Sequence, residues 1–254
     1  MNTAVDRWKL TVVPDARAMS EAAADIVAET VAAKPDAVIS VPTGSTPLGM
    51  FDVLAQRVSR GAVDLSRIQL FCLDEYVGVS PDDPNSLTGW LQDALIDRVG
   101  IPSGHVHALP ATADDLSAAT EAYEHALAAL GGLDLALLGL GPNGHIAYNE
   151  PGSPVDSRTR VVDLTPESIA QAAAYWEGEV SIPHTAVTIG VGTLLEAKRI
   201  VLLVSGDAKA EMLRRVLADP MSADVPASWL RTAGARLHVI ADEDAASRLG
   251  STRK

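Results

Sequence analysis

Seven short apolar runs punctuate the chain, and few of them alternate with polar residues. They are "KLTVV" (9–13), "DAVISV" (36–41), "IQLFCL" (68–73), "LDLALLGL" (133–140), "TAVTIG" (185–190), "IVLLVS" (200–205) and "LHVIA" (237–241). Several are rich in β-branched residues, as expected of strands covered on both faces. Segments of helical composition lie between them: 15–34, 47–60, 117–130 and 206–218.

Strand and helix therefore alternate nearly throughout. The expected fold class is α/β, a doubly wound, mostly parallel sheet with helices on both faces in a Rossmann-like three-layer arrangement. The 254 residues contain no internal repeat and no linker of disordered composition, so one domain spanning 1–254 is expected. In such sheets ligands sit beyond the carboxyl ends of the strands, near the switch in strand order.

The formal charge of −13, with no block of Lys or Arg, argues against nucleic acid as a partner. It leaves open an anionic small molecule, because a phosphate site needs only local donors. No stretch is long enough to cross a bilayer, and the N-terminal residues contain no signal-like apolar core. The single cysteine, Cys72, has no internal disulfide partner, which points to a reducing cytoplasm. Its place inside "IQLFCL" predicts core packing rather than thiol chemistry.

Three polar, glycine-bearing loops follow predicted strands. In "PTGSTPLG", Thr43, Gly44, Ser45 and Thr46 precede a predicted helix with Pro47 at its first position. Hydroxyls and a flexible loop at a helix start suit a phosphate. The plain alternative is a capped helix, with Ser45 or Thr46 as the cap. In "LDEYVG", Asp74 and Glu75 are adjacent. Neighbours on an extended chain point to opposite sides, so one carboxylate can face a cleft while the other anchors the loop. A solvated turn is the alternative reading.

The third loop, "GLGPNGHIAYNEPGSP", matches the dinucleotide pattern G-x-G-x-x-G. Pro151 and Pro154 follow too soon for the helix that a dinucleotide requires, so the match is read as coincidental. Attention moves to Asn143, His145 and Glu150. A histidine can move protons near neutral pH, a carboxylate can orient it or raise its basicity, and an amide can hold a hydroxyl. A structural histidine bonded to backbone is the alternative. "HVH" (105–107) lacks the partners of a metal site, and alternation on a short strand accounts for it better.

With these loops in hand, the sequence resembles the glucosamine-6-phosphate deaminase family. "PTGSTPLG", "LDEYVG", "GPNGHIAYNEPGS", "DSRTRVVDLT" and "AVTIGVGTLLEAKRIVLLVSGDAKAEML" occur in the family's order. The resemblance implies conversion of glucosamine 6-phosphate and water to fructose 6-phosphate and ammonia, with no redox step, cofactor or metal. It implies that Asp74 moves a proton from C2 toward C1 of the open-chain sugar. His145 would open the ring, assisted by Asn143 and Glu150, and the phosphate would be held by Thr43, Gly44, Ser45, Thr46 and Lys209. Related 6-phosphogluconolactonases tend to carry "DER" and "GHTASLFPG" at the corresponding loops, unlike this chain.

Two positions depart from the family pattern. Ala174 stands where the family usually has a phosphate-binding arginine, before Tyr175 and Trp176. Such a loss removes a directional anion contact, so either another base supplies it or the substrate differs. Val162 stands where hexameric members use a lysine for an allosteric sugar phosphate, although Arg160 is present. The expectation is a monomer or small homo-oligomer without such activation. A lactone hydrolase and a non-catalytic sugar-phosphate-binding protein remain the competing readings.

Overall fold

Successive residues of the apolar runs feed opposite sides of one sheet. Ile39, Leu70, Leu135, Leu137, Val201, Leu203 and Ile240 belong to one core layer. Their neighbours Val38, Phe71, Ala136, Leu138, Leu202, Val239 and Ala241 belong to the other. This two-sided burial explains why the runs lack polar alternation. The computed structural model describes residues 8–173, 176 and 182–250.

The first half comprises β1 (Lys9–Val13), α1 (Ala16–Ala33), β2 (Val38–Ser40), α2 (Leu48–Ser59), β3 (Gln69–Phe71) and β4 (Asp74–Tyr76). Helices α3 (Leu87–Leu91) and α4 (Asp97–Val99) then flank a π-helical turn, Gln92–Ile96. Next come β5 (Val106–His107), α5 (Leu116–Ala129), β6 (Leu135–Gly139), β7 (Arg160–Asp163) and α6 (Pro166–Ala172). The chain continues with β8 (Thr185–Thr188), α7 (Val191–Leu195), β9 (Ile200–Val204), α8 (Ala210–Ala218), β10 (Leu237–Asp242) and α9 (Glu243–Ala246).

Local chemistry sets the helix ends. Asp15 caps α1 by accepting the Ala18 N–H at 2.8 Å. Lys34, which precedes Pro35, is extended at φ −143° and stops the same helix. No described helix is long and apolar enough to cross a membrane.

The main sheet is parallel throughout, in the order β1-β10-β9-β6-β2-β3-β5. From β2 the chain moves outward through β3 and β5, then returns to β6 on the other side of β2. The strand order therefore switches between β2 and β6, and the loops leaving their carboxyl ends part around a crevice.

The structure corrects two expectations. "TAVTIG" is the centre of a second, antiparallel sheet, β4-β8-β7, and not a strand of the main one. "LDEYVG" reads as a loop in the sequence, yet Asp74–Tyr76 pairs with β8. Only Cys72 and Leu73 separate β3 from β4, and the Ile189 N–H bonds the Leu73 carbonyl at 2.8 Å as the chain changes sheets. An apolar run such as "TAVTIG" resembles those of the main sheet, so the pattern alone does not assign its partner. Cys72 is buried with its thiol pushed up to about 12 by desolvation, as core packing requires.

Candidate active site

A cleft of about 200 Å³ opens at the switch point. It brings together residues 42–46 after β2, Asp74 and Tyr76 of β4, His145 and Tyr148 after β6, and Lys209 after β9. A larger groove of about 560 Å³ between α1 and α2 touches the far side of the same loop at Ser45 and Thr46. That groove includes neither Asp74 nor His145.

The 42–46 loop turns at Gly44, whose φ of +89° is the left-handed conformation that glycine tolerates best. Pro47 takes the capping position of α2 with helical angles, and no side chain caps the helix. Neither Ser45 nor Thr46 is therefore the cap, contrary to the plainer sequence reading. Both line the cleft at a helix start, together with Thr43 and Gly44. Lys209 faces them from the turn before α8, and burial lowers its pKa. Asp242, at the end of β10, fastens that turn by accepting the Gly206 N–H at 3.0 Å and the Ser205 hydroxyl.

Asp74 and Glu75 divide as the strand geometry requires. Glu75 points away from the cleft and accepts from Leu87 N at 3.0 Å, Thr88 N at 2.9 Å and Ser86 Oγ at 2.7 Å. It thereby ties the start of α3 to β4. Asp74 faces the cleft, is 8% exposed, and its Oδ1 has no hydrogen-bond partner among the described residues. Desolvation, reinforced by the neighbouring Glu75 charge, raises its pKa to about 7. A buried carboxylate without compensation is costly, and such sites are concentrated where chemistry is done.

The imidazole of His145 lies across Gly141. A Cβ at that position would come within 2.3 Å of ring atoms Cδ2 and Nε2, so only glycine leaves the ring its place. Behind the ring, Nδ1 lies 3.5 Å from Glu150 Oε2 and 3.3 Å from Ser168 Oγ. Nε2 is left for the cleft. Burial pulls Glu150 upward, but bonds from His145, Ser168 and Asn143 outweigh it and hold the carboxyl at about 2.

Asn143 and Glu150 do not line the cleft. The Asn143 amide donates to Glu150 Oε2 at 2.8 Å and to Thr165 Oγ1 at 3.2 Å, while its carbonyl accepts from His145 N. The hydroxyl it holds is thus Thr165's. Between His145 and Glu150 the backbone makes a tight turn with Ala147 at φ +48°, the single positive-φ residue other than glycine among those described. Such a conformation is strained for a residue with a Cβ. The G-x-G-x-x-G glycines serve this loop, and no helix follows them before α6.

Several cleft residues carry no mark in the sequence. Tyr148 and Tyr76 place their hydroxyls 2.7 Å apart, and Trp176 packs edge-on against Tyr76 at 5.3 Å. Ser168 reaches His145 from α6, where Thr165 is the helix cap. Thr165 just ahead of Pro166 signals the helix start, but nothing in the sequence marks Ser168 for the ring it meets. Ala174 lies outside the described residues. Arg160 turns inward, donating to Asn149 Oδ1 at 2.9 Å and Ser153 Oγ at 3.0 Å. His107 stacks on Phe71 at 4.1 Å, and no cluster suited to a metal ion occurs among the described residues.

A family model described as glucosamine-6-phosphate isomerases/6-phosphogluconolactonase matches residues 14–239. A glucosamine-6-phosphate deaminase of Streptomyces avermitilis is 41% identical, covering 95% of this chain and 92% of its own. Glucosamine-6-phosphate deaminase 2 of Bacillus subtilis is 37% identical, covering 96% and 98% respectively. The solved structure of a monomeric glucosamine-6-phosphate deaminase superposes with a TM-score of 0.90 at 38% identity, covering 94% of this chain and 99% of that one. The 6-phosphogluconolactonase of Trypanosoma brucei, at 22% identity and a TM-score of 0.77, covers 96% and 99% and shares the fold. The chain belongs to the glucosamine-6-phosphate isomerase/6-phosphogluconolactonase family.

Proposed function

We propose that the protein is an isomerising deaminase that converts glucosamine 6-phosphate and water to fructose 6-phosphate and ammonia. The observation that carries this reading is the shared cleft, in which a desolvated Asp74 meets His145, backed from behind by Glu150, beside a hydroxyl-rich loop. Identities of about 40% to deaminases over nearly the whole chain support it from outside the site.

The two proton carriers have separate tasks. His145 Nε2 removes the proton of the anomeric hydroxyl and delivers one to the ring oxygen, opening the sugar. Glu150 and Ser168 hold the opposite nitrogen and fix the ring during the exchange. Asp74 then takes the proton from C2 while the substrate ammonium gives one to O1, producing an enolamine, and Asp74 returns its proton to C1. This leaves an imine at C2, to which water adds, and ammonia departs as the ketone forms. A carboxyl titrating near 7 both accepts and releases a proton easily at neutral pH. Thr43, Gly44, Ser45, Thr46 and Lys209 hold the phosphate, where hydroxyls and a half-buried ammonium suit an anion.

The enzyme works as a cytoplasmic monomer or small homo-oligomer. Arg160 is engaged within its own chain and Val162 carries no charge, which supports a protein without an effector site between subunits. Release of ammonia and fructose 6-phosphate, measured over a panel of 2-amino-hexose 6-phosphates, tests the activity. Folded protein that releases ammonia from none of them removes the reading, and turnover of 6-phosphogluconolactone would replace it with lactone hydrolysis.

A further inference from the structure

The wall of the cleft is a row of rings. His145 meets Tyr148 at 6.1 Å, Tyr148 meets Tyr76 at 5.7 Å, and Tyr76 meets Trp176 at 5.3 Å. In the middle of that row the two phenol oxygens are 2.7 Å apart, and both residues line the cleft. The two residues come from different elements, one from β4 and the other from the strained turn after His145.

Valence decides what such a pair can offer. Two phenols hold two hydroxyl protons, and one proton forms the bond between them. The second O–H must point elsewhere, so the pair presents one donor whose direction is set by the bridge. Burial pushes the Tyr76 phenol up to about 12 and the Tyr148 phenol well above 10. Both are neutral at working pH and serve as donors, not bases.

Position then selects the recipient. Asp74 and Tyr76 are two residues apart on β4, so their side chains share a face about 7 Å apart. Thr43–Thr46 and Lys209 hold the C6 phosphate at the other end of the sugar in the proposed reaction. With Asp74 at C2, the nearest substituent that takes no part in the chemistry is the hydroxyl on C3. We infer that Tyr76 and Tyr148 act together as a specificity-determining pair that donates one hydrogen bond to the C3 hydroxyl of the sugar phosphate. The inference rests on the deaminase reading and adds to it the substituent that the site reads.

The test crosses the wild type and the double variant Tyr76→Phe, Tyr148→Phe with glucosamine 6-phosphate and its 3-deoxy analogue. Wild type is expected to lose about tenfold in kcat/KM on the 3-deoxy sugar, mostly through KM. The double variant is expected to lose about the same on the parent sugar and to treat the two sugars alike within about twofold. If the double variant keeps the wild-type ratio between the two sugars, the pair is only a latch between β4 and the turn, and the inference is overturned. A lowered melting temperature with an unchanged ratio overturns it equally. Should the double variant not fold, the single variants supply the ratio, and the larger change marks the phenol that donates. If wild type releases no ammonia from either sugar, the proposed reaction fails, and calorimetric binding of the two sugar phosphates still reads the pair.

Discussion

Two buried aspartates mark the two ends of the main sheet and show what each end is for. Asp134, before β6, is 9% exposed and fully engaged: Lys34 at 2.7 Å, Lys198 at 2.8 Å and the Val38 N–H at 2.8 Å. Burial pulls its pKa up, but those three partners outweigh it and the carboxyl is held low. Asp74, past the carboxyl end of β3, is as deeply buried and is left with a bare oxygen and a pKa near 7. One carboxylate clamps the amino ends of β2 and β6, and the other is kept poised where those strands part. Satisfied polar groups stabilise, and unsatisfied ones are retained where a reaction uses them.

The contrast is sharpest in activity. Asp74→Asn is expected to lower kcat about 10³-fold while leaving phosphate binding intact, read by steady-state kinetics and by calorimetry with a non-reacting sugar phosphate. An equal loss in binding would place Asp74 in the wrong role. His145→Gln is expected to cost about 10²-fold on the cyclic sugar, and much less on an analogue held in the open chain. Equal losses on both would merge the two proton steps that the cleft keeps apart.

Stability should move the opposite way at the two aspartates. Asp74 titrates near 3.8 when unfolded and near 7 when folded, so the folded state binds the extra proton between those values. Its contribution to stability is therefore lost as pH rises from about 4 to about 7, by up to a few kcal/mol. Asp74→Asn should remove that slope and melt higher than wild type at about pH 8. Asp134 has a lowered folded pKa, so its contribution is present above 3.8 and declines as the solution is acidified through the folded value.

The smallest expected effect is that of Asp134→Ala, about 2 kcal/mol by urea unfolding, mostly from the Val38 N–H left unpaired. The two lysines are 37% and 61% exposed, so solvent screens much of their pull. The kcat of this variant should stay at the wild-type value. A matching loss of turnover would break the separation of the two ends.

The layered architecture was legible because the central strands of the main sheet are apolar on both faces, as in "IVLLVS" and "LALLG". The outer strands of the second sheet were not: Asp74–Tyr76 carries two acids, and Arg160–Asp163 is half exposed. Asp74, His145 and Glu150 stood out because each is a titratable group in a segment that leaves a predicted strand. Tyr148 and Ser168 were invisible, since what matters about them is a hydroxyl meeting a residue far along the chain. For Asn143 the sequence offers an amide able to hold a hydroxyl near His145, but its partners, Glu150 and Thr165, are set only by the folded chain.

Gly141 makes the seat of the imidazole a matter of main-chain shape. The side chains around the mouth of the cleft can then drift with whatever sugar they admit, while the ring stays in the hollow the backbone leaves for it. Selectivity and proton traffic become separately evolvable properties of one small cavity.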